Sequence, residues 1–300
     1  MEKSSISLAG VFPPIPTPFD DDGNISFPAL VANLERWHHF ALAGYVISGS
    51  NGEGPYLTAD ERIALFEAAR PAIPRDRLLI AGTGCESTRE TIALTCRAAA
   101  AGADAALVVT PHYYAAKMTA DLLVRHYQAV ADASPIPILI YNVPKFTHVN
   151  VDPAAIARAA QHPNIVGMKD TSGDITQLAY TIRLAGPGFQ LLAGSAGFFF
   201  AALALGAVGG ILALANIAPL QSLEIYRLFK VGAWDQAADL QRRMIPVNSA
   251  ITARFDIAGL KAALEMLGYY GGPVRPPLAG LTAGERGALR TILVEGGILP

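Results

Sequence analysis

The sequence predicts an α/β chain folded as a (β/α)8 barrel with a C-terminal helical appendage, and three observations carry that reading. Short apolar runs alternate with Ala/Leu-rich segments of helical period over residues 10–213. The runs are apolar on both faces, as strands of a parallel sheet covered by helices on either side must be. Roughly eight such units suit a closed barrel. The competing open sheet would carry a glycine-rich fingerprint after its first strand, where this chain has Pro13, Pro14 and Pro16.

The expected strands, in order, are residues 10–15, 45–48, 78–82, 105–110, 138–142, 165–169, 190–194 and 208–213. Helical patterns between them cover 27–42, 59–72, 89–101, 120–133, 153–161, 175–185 and 196–205. The most apolar stretch, 198–218, is broken by Gly206, Gly209 and Gly210 and reads as a buried helix and strand, not a membrane span. Beyond the eighth strand the chain stays helical over 220–231, 234–252, 257–267 and 283–295, interrupted by the Gly/Pro-rich residues 268–277. That is more helix than a minimal barrel needs. The barrel is therefore assigned residues 1–231 and the helical region 232–300.

Bulk properties exclude several classes of function. With 52% hydrophobic and 16% charged residues, the 300-residue chain can bury a large core. A formal charge of −2, with no run of basic residues, offers no footprint for nucleic acid or an acidic membrane. Two cysteines, Cys85 and Cys96, cannot make a disulfide framework, and the opening residues show no secretory or transit pattern. Cytoplasmic residence is the expectation. The six histidines show no H-x₃-H pairing, so no metal is expected.

Barrel enzymes place their chemistry at the C-terminal ends of strands. Of six lysines, Lys3 is terminal, Lys117 lies in a loop, Lys145 follows a proline, and Lys230 and Lys261 fall in helical segments. Only Lys169 closes an apolar strand, Ile165-Val166-Gly167-Met168-Lys169. Desolvation there favours the neutral amine, which forms a Schiff base with a carbonyl compound and so an electron sink for C–C bond cleavage. The alternative is a lysine reaching solvent or paired with Asp170.

Tyr141 ends the preceding strand, about 5 Å away by sheet spacing. It is a candidate proton carrier for carbinolamine formation and collapse. Gly49-Ser50-Asn51-Gly52-Glu53 ends the second strand as a glycine-flanked polar loop, able to converge on a carboxylate or simply to cap the next helix. Gly194-Ser195 ends the seventh strand, where barrels often hold anions, although a plain helix start explains it as well. Thr110-Pro111-His112-Tyr113-Tyr114 places two aromatics on a loop suited to an interface or a lid.

Together, Gly49-Ser50-Asn51-Gly52-Glu53, Tyr141-Asn142-Val143-Pro144, Gly167-Met168-Lys169-Asp170 and Leu192-Ala193-Gly194-Ser195 resemble the dihydrodipicolinate synthase / N-acetylneuraminate lyase family of class I aldolases over nearly the whole chain. The resemblance implies that Lys169 forms the imine with pyruvate and Tyr141 relays protons. It implies that Ser50 and Asn51 hold the carboxylate, with Thr171, Gly194, Ser195 and Ile211 completing the pocket. It also implies that Tyr113 reaches a neighbouring subunit's site within a homotetramer, a dimer of dimers, and that no cofactor is needed beyond the covalent Schiff base.

Two details lean away from dihydrodipicolinate synthase itself. Ser50-Asn51 replaces its usual Thr-Thr, and Phe146 stands where it has an arginine that grips the second substrate; a phenyl ring cannot replace a bidentate guanidinium. Ala81-Gly82-Thr83-Gly84-Cys85-Glu86-Ser87-Thr88 and Gly268-Tyr269-Tyr270-Gly271-Gly272-Pro273 resemble instead the 4-hydroxy-2-oxoglutarate aldolase branch, with Thr171 and Asn142 as modest departures. The expected activity is therefore cleavage of 4-hydroxy-2-oxoglutarate, or a related 4-hydroxy-2-oxo acid, to pyruvate and an aldehyde such as glyoxylate. The alternatives are condensation of pyruvate with aspartate semialdehyde, reactions of 2-keto-3-deoxy sugar acids, and a non-catalytic barrel that binds a keto acid.

Overall fold

Among residues 6–300, which the computed structural model describes, eight parallel strands form one sheet. They are β1 (Gly10–Phe12), β2 (Gly44–Ile47), β3 (Leu78–Gly82), β4 (Ala105–Val109), β5 (Ile138–Asn142), β6 (Ile165–Asp170), β7 (Gln190–Ala193) and β8 (Gly209–Ile211). Lys3, and with it part of the opening segment, lies outside the described residues. From β2 to β8 each strand pairs with the next in the chain, and β1 pairs with β8. The ring closes between β1 and β2, where the Ala43 N–H bonds Val11 O (3.0 Å), the Val46 N–H bonds Pro13 O (3.0 Å) and the Ile15 N–H bonds Val46 O (2.8 Å). The fold is a (β/α)8 TIM barrel.

The helices are α1 (Phe27–Trp37), α2 (Ala59–Ala72), α3 (Thr88–Ala100), α4 (Ala120–Ala133), α5 (Pro144–Thr147), α6 (Pro153–Ala159), α7 (Ile175–Ala185), α8 (Phe199–Ala204), α9 (Pro219–Lys230), α10 (Trp234–Ser249), α11 (Asp256–Met266) and α12 (Ala283–Glu295). Their starts follow local chemistry. Thr58 and Glu61 form a reciprocal capping box on α2, and Thr282 and Glu285 do the same on α12. Asp152 and Asp174 cap α6 and α7.

Two apolar clusters result. Phe12, Val46, Ile80, Leu107, Leu139, Leu192 and Ile211, drawn from seven strands, fill the barrel interior. Leu8 joins them from below, anchored where its N–H donates to Gln190 Oε1 (2.7 Å). The second cluster lies between strands and helices and runs on into Met244, Val247, Leu260, Leu289 and Leu293 of the C-terminal helices.

Several elements depart from expectation. β1 stops at Phe12 because Pro13, Pro14 and Pro16 have no N–H to give the ladder. Instead of reaching residue 42, α1 ends at Trp37, where the Phe40 N–H turns back to Trp37 O (3.1 Å). Nor does the helix expected over 234–252 run straight. After Ser249 it widens into a π-helical turn, Ala250–Arg254, with the Phe255 N–H bonded to Ala250 O (3.0 Å). α5, over residues for which no element was expected, is a single helical turn opened by Pro144.

Candidate active site

A β-bulge sets the site. Ile138 of β5 pairs with Ile165 of β6, but Leu139 pairs with Gly167, so β6 carries one extra residue. A bulge re-aims the side chains beyond it. Past the bulge Tyr141 pairs with Lys169, and Lys169 with Leu192. Tyr141 and Leu192 both face the barrel interior, so Lys169 does too.

Lys169 Nζ lies 4.3 Å from the centroid of the Tyr141 ring, and each side chain is 4% exposed. The lysine is therefore held within the barrel mouth and does not extend out into solvent. It makes no ion pair among the described residues, because Asp170 points to the opposite face and is bonded there by Asn142, Ser172 and Gln177. On the other side of the phenol, Ser50 Oγ and the Tyr141 hydroxyl are 3.3 Å apart.

Ser50 and Asn51 open a 3-10 turn after β2, entered through Ser48 and left through Glu53, both in the left-handed region (φ 59° and 55°). Within the turn the Gly52 and Gly54 N–H groups bond Gly49 O (3.0 and 3.1 Å). The Ser50 and Asn51 N–H groups, at its start, have no acceptor among the described residues. Close approach requires glycine at Gly82, where a Cβ would stand 2.2 Å from Ser48 O.

A cavity of about 440 Å³ opens over Ser50 and Tyr141; Lys169 lies behind the Tyr141 ring and, like Asn51, does not line it. Ser48, Ser50 and Tyr141 form part of its wall, with Leu107, Val109 and Val143 beside them; Phe146, Phe255, Asp256, Ile257 and Leu278 line its outer part. Arg62 also lines it, but its guanidinium is committed to Gly84 O (3.2 Å) and Gly54 O (2.5 Å). Burial holds that guanidinium below its ordinary pKa. Lys145 is likewise engaged, by Thr252 O (2.6 Å) and Asp256 (3.3 Å).

The structure thus brings together Lys169, Tyr141 and Ser50, with Asn51 in the same turn. Thr171, Gly194, Ser195 and Ile211 flank the ends of β6 to β8 and do not line the cavity. Thr171 donates its N–H to Asn142 O (2.9 Å), and its hydroxyl is buried without a partner among the described residues. Gly194 has no room for a side chain, since a Cβ would meet Thr171 Oγ1 at 2.0 Å. Ser195 caps a 3-10 turn and accepts from Asn248 (3.2 Å), while Ile211 is wholly buried in the barrel core. Tyr113 is 77% exposed. Its loop is held outward by Glu86, which accepts from the His112 and Tyr113 N–H groups (3.0 and 2.8 Å).

Sequence reasoning missed the support beneath the Ser50 turn. Glu53 and Lys261 form a wholly buried ion pair, Nζ to Oε1 2.6 Å, which ties the turn to α11. Burial pushes the Lys261 ammonium below its ordinary pKa, against the opposing pull of Glu53. A lysine inside the apolar run Gly259-Leu260-Lys261-Ala262-Ala263-Leu264 was the available signal. The contribution of residues 255–258 to the cavity wall had no such signal, since it depends on how the C-terminal helices pack back.

A model of the dihydrodipicolinate synthetase family matches residues 7–295 of the chain. Among curated relatives, 4-hydroxy-tetrahydrodipicolinate synthases of Methanothrix thermoacetophila and Acidiphilium cryptum are each 38% identical over 287 residues. These alignments cover 95% and 94% of this chain, and 96% of each relative. Among solved structures, a dihydrodipicolinate synthase of Bacillus anthracis superposes with a TM-score of 0.92 at 29% identity, covering 96% of this chain and 98% of that one. YagE, a prophage protein of the dihydrodipicolinic acid synthase family from E. coli K12 solved in complex with pyruvate, also scores 0.92 at 29% identity, covering 98% of this chain and 100% of its own.

Proposed function

The chain belongs to the dihydrodipicolinate synthetase family, pyruvate-dependent class I aldolases that work through a lysine Schiff base without an external cofactor, and we propose that Lys169 is that lysine. The supporting observation is its register: Lys169 and Tyr141 are paired on adjacent strands, with Ser50 at the phenol's far side. In this reading Lys169 Nζ attacks the keto carbon of pyruvate. Tyr141 carries protons to and from the carbinolamine oxygen, and water leaves to give the imine. Ser50 and Asn51 orient the carboxylate through the two N–H groups left open at the start of their turn. Loss of a C3 proton gives the enamine, which adds to an aldehyde; reversal cleaves the same bond.

For the acceptor we infer aspartate semialdehyde. The relatives at 38% identity are named as synthases, which favours condensation over the hydroxy-oxo-acid cleavage expected above. Cleavage of 4-hydroxy-2-oxoglutarate to pyruvate and glyoxylate stays as the second reading, on one specific observation. Phe146 lines the cavity, and both Arg62, which lines it too, and Lys145, 4.8 Å from the centroid of the Phe146 ring, are engaged by protein oxygens.

Semialdehyde consumption with pyruvate, measured beside pyruvate release from hydroxyoxoglutarate on one preparation, separates the two. Turnover of the semialdehyde alone supports synthesis, and pyruvate release alone reverses the assignment. We also propose that exposed Tyr113 completes the site of a neighbouring subunit, in a dimer at least and a homotetramer in full. A cytoplasmic setting fits the two unpaired thiols, Cys85 and Cys96. No helix of the described residues is long and apolar enough to cross a membrane.

A further inference from the structure

We propose that Asp170 is a positioning residue: its buried carboxylate locks the strand end that carries Lys169 onto the one that carries Tyr141, and its clamp keeps the Lys169 amine free of an ion pair. The proposal rests on Lys169 being the imine-forming lysine.

Asp170 is 1% exposed and forms no ion pair among the described residues. Four donors hold it instead. Oδ2 accepts from Asn142 Nδ2 (2.9 Å) and Gln177 Nε2 (3.2 Å), and Oδ1 accepts from the Ser172 N–H (2.8 Å) and Ser172 Oγ (2.5 Å). The donors are themselves fixed. Asn142 Nδ2 also reaches Asn150 Oδ1 (2.8 Å), its Oδ1 accepts the Val151 N–H (3.1 Å), and Asn150 and Gln177 exchange two bonds (2.7 and 3.1 Å).

This cage turns donors toward both oxygens of the carboxylate. A carboxylate accepts at both oxygens, whereas an amide at the same place would turn N–H groups toward donors. A buried charge without a counter-ion is expensive unless charge-assisted hydrogen bonds replace its water. Packing the barrel does not call for one here, since the register partner of Asp170 on β7 is Ala193. What the anion does accomplish is alignment. Asn142 is the register partner of Asp170 on the outer face, as Tyr141 is of Lys169 on the inner face, so one hydrogen-bonded pair sets the other. The clamp also keeps the carboxylate turned from the amine one residue away. Paired with that carboxylate, the amine would be held as an ammonium, which has no lone pair for attack.

The test is the rate at which borohydride traps pyruvate on the full chain, per folded molecule, across pyruvate concentrations. Gln177→Met, which touches neither Lys169 nor Tyr141, is expected to lower the saturating rate five- to twentyfold. The half-saturating pyruvate concentration should stay within twofold, a split that mere loss of stability does not produce. Asp170→Asn is expected to lower the rate at least fiftyfold, and Asp170→Glu to restore part of it. If Asp170→Asn does not fold, Gln177→Met decides alone. Variants that trap at the parent rate within twofold overturn the proposal while leaving Lys169 in its role. A parent that traps no pyruvate overturns the reading of Lys169, and the proposal with it.

Discussion

Lys169 stands against the face of Tyr141, its Nζ 4.3 Å from the ring centroid, and not against Asp170, its immediate neighbour in the chain. A one-residue bulge at the start of β6 produces this arrangement by turning Lys169 inward beside the tyrosine. Lys169 is buried beside a phenol and a serine hydroxyl that lie within reach of one another, and no counter-ion pairs with it among the described residues.

Tyr141→Phe keeps the ring on which Lys169 packs and removes only the hydroxyl that meets Ser50. Imine formation should slow about 100- to 10,000-fold, the usual range for losing a positioned proton carrier. Thermal stability should hardly change. Stopped-flow single turnovers with pyruvate, set beside a melting curve, check both halves.

Phe146→Arg places a guanidinium in the wall of the cavity, where the proposed reading seats the acceptor. A charged hydrogen bond to an acceptor carboxylate is worth about 1.5–3 kcal/mol, or roughly ten- to hundredfold. Steady-state kcat/KM for aspartate semialdehyde should rise by that factor, with the rate of pyruvate trapping unchanged.

Lys261→Met removes the ion-pair partner of the buried Glu53 carboxylate and leaves it the Arg275 N–H (2.8 Å). Breaking such a pair from one side costs about 3–5 kcal/mol, whereas replacing both partners costs little. Urea unfolding should therefore show a large loss for Lys261→Met and recovery of most of it in the Glu53→Gln/Lys261→Met double variant. An equal loss in both would mean that Lys261 matters by packing and not by charge.

Burial pushes His126 down to about 4 from its ordinary 6.5, with its ring bonded to Thr88 Oγ1 at 2.9 Å. The unfolded chain thus takes up this proton first as pH falls. The contribution of His126 to stability is complete above pH 6.5 and declines toward pH 4, by about 3 kcal/mol in all. Unfolding free energies across that window should slope upward with pH, and His126→Gln should flatten the slope.

The barrel was legible wherever a strand is apolar on both faces or a helix carries its own cap. β3 and β5 fall on their expected residues, as do α2, α4, α7 and α12. Lys169 and Tyr141 were legible as strand ends, because barrel chemistry collects there. Their mutual aim was not, since a bulge leaves no mark in the alternation of residues. The Glu53–Lys261 pair and the cavity wall from Phe255 to Ala258 join segments some two hundred positions apart. Only the return of the C-terminal helices onto the barrel mouth brings them together. The acceptor was the least legible part: Phe146 pointed to hydroxy-oxo-acid cleavage, while the relatives' name points to condensation.

Borohydride reduction in the presence of pyruvate, followed by peptide mass spectrometry, tests the Schiff-base assignment most directly. One reduced pyruvate adduct on Lys169, absent from Lys169→Met, is the expected result. An adduct on Lys145 or Lys261 in its place, or no adduct from folded protein, would contradict it.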